Sequence, residues 1–107
     1  MSFKIIPTPA FERELKKLSK RHSSIKSDLS LLILSLKDGS DFGKPLGNNC
    51  FKIRMSISSK NNGKSGGARV ITYVKIVDEV IYLVSIYDKS EADTITDAEL
   101  LMRIRDL

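Results

Sequence analysis

The sequence predicts an α+β sandwich of order β-α-α-β-β-β(-α), an antiparallel-dominated sheet with a helical hairpin on one face. Three observations lead there. Residues 69–77 and 80–87 are runs rich in Val, Ile, Thr and Tyr with only Asp78 and Glu79 between them. Such runs suit a pleated, packed surface, so they read as a tight antiparallel hairpin at the centre of a sheet. Residues 50–57 alternate strictly, with Phe51, Ile53, Met55 and Ile57 on one side and Lys52, Arg54, Ser56 and Ser58 on the other. Upstream of these strands lie two stretches with apolar residues at helical spacing.

Residues 3–7 (Phe-Lys-Ile-Ile-Pro) read as a short strand ended by Pro7. Thr8 caps a helix whose first position is Pro9, where a missing N–H is harmless. Phe11, Leu15 and Leu18 form its apolar stripe, opposite Glu12, Arg13, Glu14, Lys16, Lys17 and Lys20. Ser23 or Ser24 opens a second helix with Ile25, Leu29, Leu32, Ile33 and Leu36 as its stripe, and Gly39 stands where a left-handed cap is expected. The two helices should pair and lay their stripes on the sheet. Residues 39–49 are turn formers and read as a loop, and residues 59–67 as a mobile basic loop with three glycines. After the hairpin, Thr96-x-x-Glu99 forms a capping box opening a last helix with Leu100, Leu101 and Ile104 as its apolar side. That helix is too short to cover its face of the sheet, so part of the face should stay open to a ligand.

With 107 residues the chain reads as one domain, 1–107, without repeats or low-complexity tracts. No apolar run approaches the roughly twenty residues needed to span a bilayer, and the N-terminus lacks signal-peptide architecture. The single cysteine, Cys50, suits a reducing compartment, so a cytoplasmic location is expected. The net charge is +5, unevenly distributed. Residues 50–75 hold six cations and no acid, whereas residues 76–107 hold three cations and eight acids. An acid-free stretch of this kind gives an uncompensated positive potential suited to a polyanion. Its strand-like pattern favours nucleic acid over a membrane surface.

The chemistry available is narrow. His22, the only histidine, sits at a predicted helix end and reads as a capping or surface group, which excludes a two-histidine ribonuclease mechanism. Cys50 lies in a strand and reads as buried and inert. No His, Cys or carboxylate set has zinc-ligand spacing, and Asp88, Glu91 and Asp93 read as a solvated acidic turn. Lys64-Ser-Gly-Gly lacks the full phosphate-loop pattern. No metal or small-molecule cofactor is expected. What remains are cations: Lys52 and Arg54 on one strand face, Arg69 at the start of the next strand, and Lys89 at the end of the last. Around a phosphodiester such a cluster stabilises the added charge of a pentacovalent transition state. Lysines whose pKa is depressed by like neighbours can also move protons at the attacking 2′-hydroxyl and leaving 5′-oxygen, Lys52 as base and Lys89 as acid. Ordinary surface cations are the alternative reading.

The segments Phe51-Lys-Ile-Arg-Met, Gly-Gly-Ala-Arg-Val-Ile-Thr-Tyr (66–73) and Ile-Tyr-Leu-Val-Ser-Ile-Tyr-Asp-Lys-Ser-Glu (81–91) resemble the RelE/ParE superfamily of bacterial toxins, on its HigB and RelE side. The likeness runs over nearly the whole chain. It implies a toxin with a cognate antitoxin partner that cuts ribosome-bound mRNA by metal-independent 2′-hydroxyl attack. Lys52 and Arg54 match the family's paired basic residues, Arg69 its next arginine, and Lys89 a basic position assigned to leaving-group protonation or phosphate stabilisation. Lys60, Lys64 and Lys75 would hold RNA phosphates. Ile95 aligns near the tyrosine that stacks on the substrate base in RelE, which leaves Tyr87 or Tyr73 to supply a stacking surface. Two alternatives stand beside this reading: a ParE-like inhibitor of DNA gyrase, and an inactive nucleic-acid-binding protein of the same fold.

Overall fold

A computed structural model describes residues 2–60, 63, 66–92 and 94–107. The elements run β1 (Lys4–Pro7), α1 (Pro9–Arg21), α2 (Ile25–Lys37), β2 (Lys44–Gly47), β3 (Cys50–Met55), a 3-10 turn at Ser58–Lys60, β4 (Ala68–Lys75), β5 (Val80–Asp88) and α3 (Asp97–Ile104). The five strands lie in the order β1-β5-β4-β3-β2. Only β1 pairs in parallel, with β5; every other pairing is antiparallel. The hairpin β4–β5 therefore occupies the interior of the sheet, as its apolar runs require.

One face of the sheet receives α1 and α2. Phe11, Leu18, Ile25, Leu29 and Leu36 pack there on Met55, Val70, Val74, Ile81, Leu83 and Ile86. Burying side chains of this size stabilises by about 1.5–3 kcal/mol each. Thr8 joins helix to sheet: its hydroxyl accepts from Phe11 N–H at 3.3 Å and donates to Leu83 C=O at 2.9 Å. Gly39, at φ +71°, ends α2 in the left-handed conformation its position demands. The opposite face carries a smaller cluster of Cys50, Ile71, Val84 and Leu100, covered by α3 with Ile104 and Leu107. Among the described residues no helix is long and apolar enough to cross a membrane.

Five local expectations change. Residues 44–47 form a strand rather than loop, because Asn48 and Asn49 both adopt positive φ and close a two-residue turn into β3. Pro45 is tolerated because β2 is an edge strand. Strand β3 stops at Met55 instead of Ile57, since Ser58 turns the chain toward α2. The hairpin turn spans Ile76 to Glu79, with Val77 97% exposed and Glu79 at positive φ, so apolar composition carried β4 two residues too far, while β5 starts at Val80 as expected. The capping box is half made: Thr96 accepts from Glu99 N–H, while the Glu99 carboxylate turns to Arg103. Leu101 is exposed, and Leu107 joins Leu100 and Ile104 on the buried side.

Gly67 owes its place to crowding. A Cβ there would lie 2.1 Å from the Met55 carbonyl oxygen, so only glycine lets β3 close on the start of β4. Its own carbonyl accepts from Lys89 N–H at 3.0 Å, which extends the β4–β5 ladder by one pair. Gly67→Ala should therefore lose about 2–3 kcal/mol of unfolding free energy in a denaturant titration, within the range for overpacked sites. An unchanged midpoint would contradict this account of the close approach.

Candidate active site

Register decides which cations meet. In the β3–β4 ladder Arg54 stands directly opposite Arg69, and in the β4–β5 ladder Arg69 stands opposite Tyr87. Directly opposed residues have Cβ atoms about 5 Å apart. Lys52 precedes Arg54 by two residues on the same face, roughly 7 Å along the strand. Lys89 follows Tyr87 by two residues, and its N–H on Gly67 C=O continues the same alternation. Lys52, Arg54, Arg69, Tyr87 and Lys89 thus lie at one end of one sheet face, contributed by three neighbouring strands. Lys44, across from Lys52 in β2, adds a further exposed cation that sequence reading missed because its strand was read as loop. The Asn48-Asn49 turn was the signal for it.

The environments differ. Arg54 is exposed at the free edge of β3, where β2 has ended, and borders a groove of about 500 Å³ with Ser40, Asp41 and Ser56. Lys52 is half-buried and Lys89 exposed. Arg69 is only 2% exposed, and its guanidinium donates to Ala68 C=O at 3.0 Å. The expected open patch is therefore covered at its centre, and Arg69 lies within the protein rather than at its surface. Tyr87 is half-buried beside it and packs with Ile95 in the cluster under α3. Tyr73 sits four residues along β4, stacked on Tyr82 with ring centroids 6.2 Å apart. Lys75 shares the face but lies at the far end of β4, six residues or about 20 Å from Arg69. Lys64 falls outside the described residues.

Lys60 has a task other than the expected one on RNA. Its ammonium donates to both oxygens of Asp88, each at 3.2 Å. Asp88, 1% exposed, also lies 3.0 Å from His22 Nε2 and accepts from Ser90 N–H at 2.9 Å. Of the expected solvated acidic turn, Asp88 is instead a buried ionic junction, Glu91 is exposed as expected, and Asp93 lies outside the described residues. His22 ends α1 as a cap, its N–H on Leu18 C=O, but its ring is turned inward to Asp88 rather than to solvent. Asp28 makes a second junction, accepting from Ser24 and from both the N–H and hydroxyl of Ser58. Burial opposes the charge on each carboxylate, and the hydrogen bonds outweigh it. Ser58 and Ser24 hold Asp28 below the usual carboxylate range, and Ser90, Lys60 and His22 hold Asp88 well below it.

A third carboxylate closes the sheet edge. Strand β1 pairs β5 only as far as Leu83. Beyond it, Glu14 accepts from Ile86 N–H at 3.4 Å, and Arg103 donates to Val84 C=O at 3.0 Å while gripping Glu14 in a two-pronged pair. Cys50 is fully buried, and burial pushes its thiol up to about 11. Among the described residues no group of three His, Cys, Asp or Glu side chains is arranged to hold a metal ion. A groove of about 640 Å³ lies between β1 and the two helices, lined by Phe3, Ile5, Phe11, Leu15 and Ile33 and bordered by Lys4 and Lys37, away from Lys52, Arg54, Arg69 and Lys89.

An α+β sandwich with cations gathered at one end of its open face is the class that these observations define. The chain belongs to the RelE toxin family: the family model, described as the RelE toxin of the RelE/RelB toxin–antitoxin system, matches residues 4–105. Its fold is similar to that of a mutant of the E. coli toxin RelE solved in the free state. The TM-score is 0.66 at 20% identity, covering 97% of this chain and 99% of that one. No curated protein matches the chain.

The depressed Asp88 pKa sets an acid limit. Its stabilisation is complete above the unfolded value near 4 and is lost as pH falls through the lower folded value. Asp88→Asn should reduce stability at pH 7 by about 3 kcal/mol, the scale for removing one partner of a buried pair. The gap from wild type should narrow steadily below about pH 4 in thermal melts. A gap independent of pH would show that the Asp88 charge is not what holds the junction.

Proposed function

We propose that this chain is the toxin of a type II toxin–antitoxin pair and acts as a ribosome-dependent mRNA endonuclease. The observation that carries the reading is the pairing of Arg54 with Arg69, with Lys52 and Lys89 on the same face. Two guanidinium-bearing residues directly opposed in the sheet, with two lysines on the same face, are complementary in charge and spacing to a phosphodiester and to the added negative charge of its transition state. A phosphodiester laid across β3–β5 meets Arg54 at the surface and the field of Arg69 from beneath. A charge held in a water-poor site acts strongly on developing negative charge.

In this reaction the 2′-oxygen attacks phosphorus and the bond from phosphorus to the 5′-oxygen breaks. The products are a 2′,3′-cyclic phosphate and a 5′-hydroxyl end. Lys52 accepts the 2′-hydroxyl proton and Lys89 delivers one to the leaving 5′-oxygen, while Arg54 and Arg69 stabilise the equatorial oxygens. Tyr87, beside Arg69, offers a stacking surface for a flanking base, a role for which Tyr73 is less well placed because it is stacked on Tyr82. Lys64 and Lys75 are left for more distant phosphates. The cognate antitoxin silences the enzyme with an acidic or amphipathic segment that covers the cations or displaces α3.

The test is to express wild type and variants without antitoxin and map mRNA 5′ ends on ribosomes. Arg54→Ala should lower in-frame cleavage about 10²–10³-fold, and Lys89→Ala at least about 10²-fold. Because Arg54 is exposed, its melting temperature should stay within a degree or two of wild type. Full cutting by Arg54→Ala would remove the proposal's basis. DNA damage without mRNA cuts would move the protein to the gyrase inhibitors.

A further inference from the structure

Helix α1 carries a second cationic surface that the candidate active site does not use. Arg13, Lys16, Lys17 and Lys20 are all exposed and stand at i, i+3, i+4 and i+7, one face about 10.5 Å long. Among the described residues none of the four forms an ion pair. Of the nearby acids, Glu14 is engaged by Arg103 and Glu91 by Arg21, while Glu12, one turn before Lys16, forms no ion pair among the described residues. Arg13–Lys17 and Lys16–Lys20 are like-charge pairs at i,i+4, unfavourable in an isolated helix unless an anion lies between them.

Two adjoining grooves run along this face. One, of about 480 Å³, is lined by Ala10, Arg13, Lys16 and Arg103. The other, of about 530 Å³, reaches Arg21, Ile86 and Tyr87, and the two share Glu14, Lys17 and Lys20. The second groove ends at the tyrosine that stands opposite Arg69 in the sheet. The cations of α1 and those of β3 and β4 are therefore joined around the edge of β5 through Tyr87.

We infer that α1 holds the sugar–phosphate backbone of RNA flanking the bond to be cut, as a track continuous with the candidate active face. The inference rests on the RNA-cleaving reading and extends its substrate contact to a second element. RNA fits better than an acidic protein segment. Protein interfaces are depleted in lysine at their centres and need apolar anchors, whereas phosphate contacts are made by lysine and arginine. The four positions include no apolar side chain, and the aromatic group at the groove's end is the kind on which bases stack.

The experiment measures binding of a 2′-O-methyl RNA oligonucleotide, which cannot be cleaved, by the intact chain across a salt series. Lys17→Gln/Lys20→Gln should weaken binding about tenfold and make the slope of log affinity against log salt shallower by about 1.4, two phosphate contacts for a single strand. Lys4→Gln/Lys37→Gln removes the same charge from residues bordering the groove between β1 and the helices, and should leave both quantities near wild type. Equal losses in the two double variants would reduce the effect to bulk charge and overturn the inference. Unchanged RNA binding would overturn it too, including the case where α1 variants lose only an acidic peptide partner. Since no bond is cut, binding that depends on α1 with no cleavage of ribosome-bound message would retain this surface and remove the nuclease reading alone.

Discussion

The candidate active face depends on a single alignment, that of β3 against β4 with Arg54 opposite Arg69. A slip of one residue would carry Arg54 to the helix-covered side and bring Ile53 out. The reverse face pins the alignment, because Ile53–Val70 and Met55–Ala68 are core pairs. The Asn48-Asn49 turn fixes one end of β3, and the glycine-only approach of Gly67 to Met55 fixes the other. Apolar packing thus fixes the register that sets Arg54 opposite Arg69.

Acids are absent from residues 50–75, and those that matter act from elsewhere. Asp28 ties the 3-10 turn to α2, Asp88 ties Lys60 and His22 to the end of β5, and Glu14 with Arg103 closes the β5 edge that β1 leaves unpaired. Each junction lies behind or beside the cationic face, so no carboxylate neutralises Arg54 or Lys89 among the described residues. Asp88 and Lys89 show the division within two residues: one turns to the helices and anchors the strand, and the next keeps its charge in solvent. The frame is ionic at its junctions and cationic on the face proposed to meet RNA.

Much of this was legible in the residues. The β-branched runs marked the interior hairpin, Thr8-Pro9 and Thr96 marked helix starts, and strict alternation put Lys52 and Arg54 on one face. Pairing of Arg54 with Arg69 was not legible, because register depends on where β3 ends, and composition extended that strand two residues too far. The same lack of three-dimensional context hid the covering of Arg69 and the capture of Lys60 by Asp88. Sequence sees a carboxylate near serines as a solvated turn; only long-range contact, 66 residues for His22 and Asp88, makes it a buried junction. Strand β2 was missed although two asparagines with positive φ are a recognised hairpin signal, since Lys-Pro-Leu-Gly looks like turn composition.

The most direct test of the account is a double-mutant cycle between Arg54 and Arg69 on cleavage of ribosome-bound message, using Arg54→Gln, Arg69→Gln and the pair. If both side chains act on one phosphate, the double variant should lose less than the two single losses combined. Coupling of about 1 kcal/mol or more is expected for groups in one contact network. Losses that add without coupling, in variants shown to be folded, would mean that the two arginines do not serve one reacting centre.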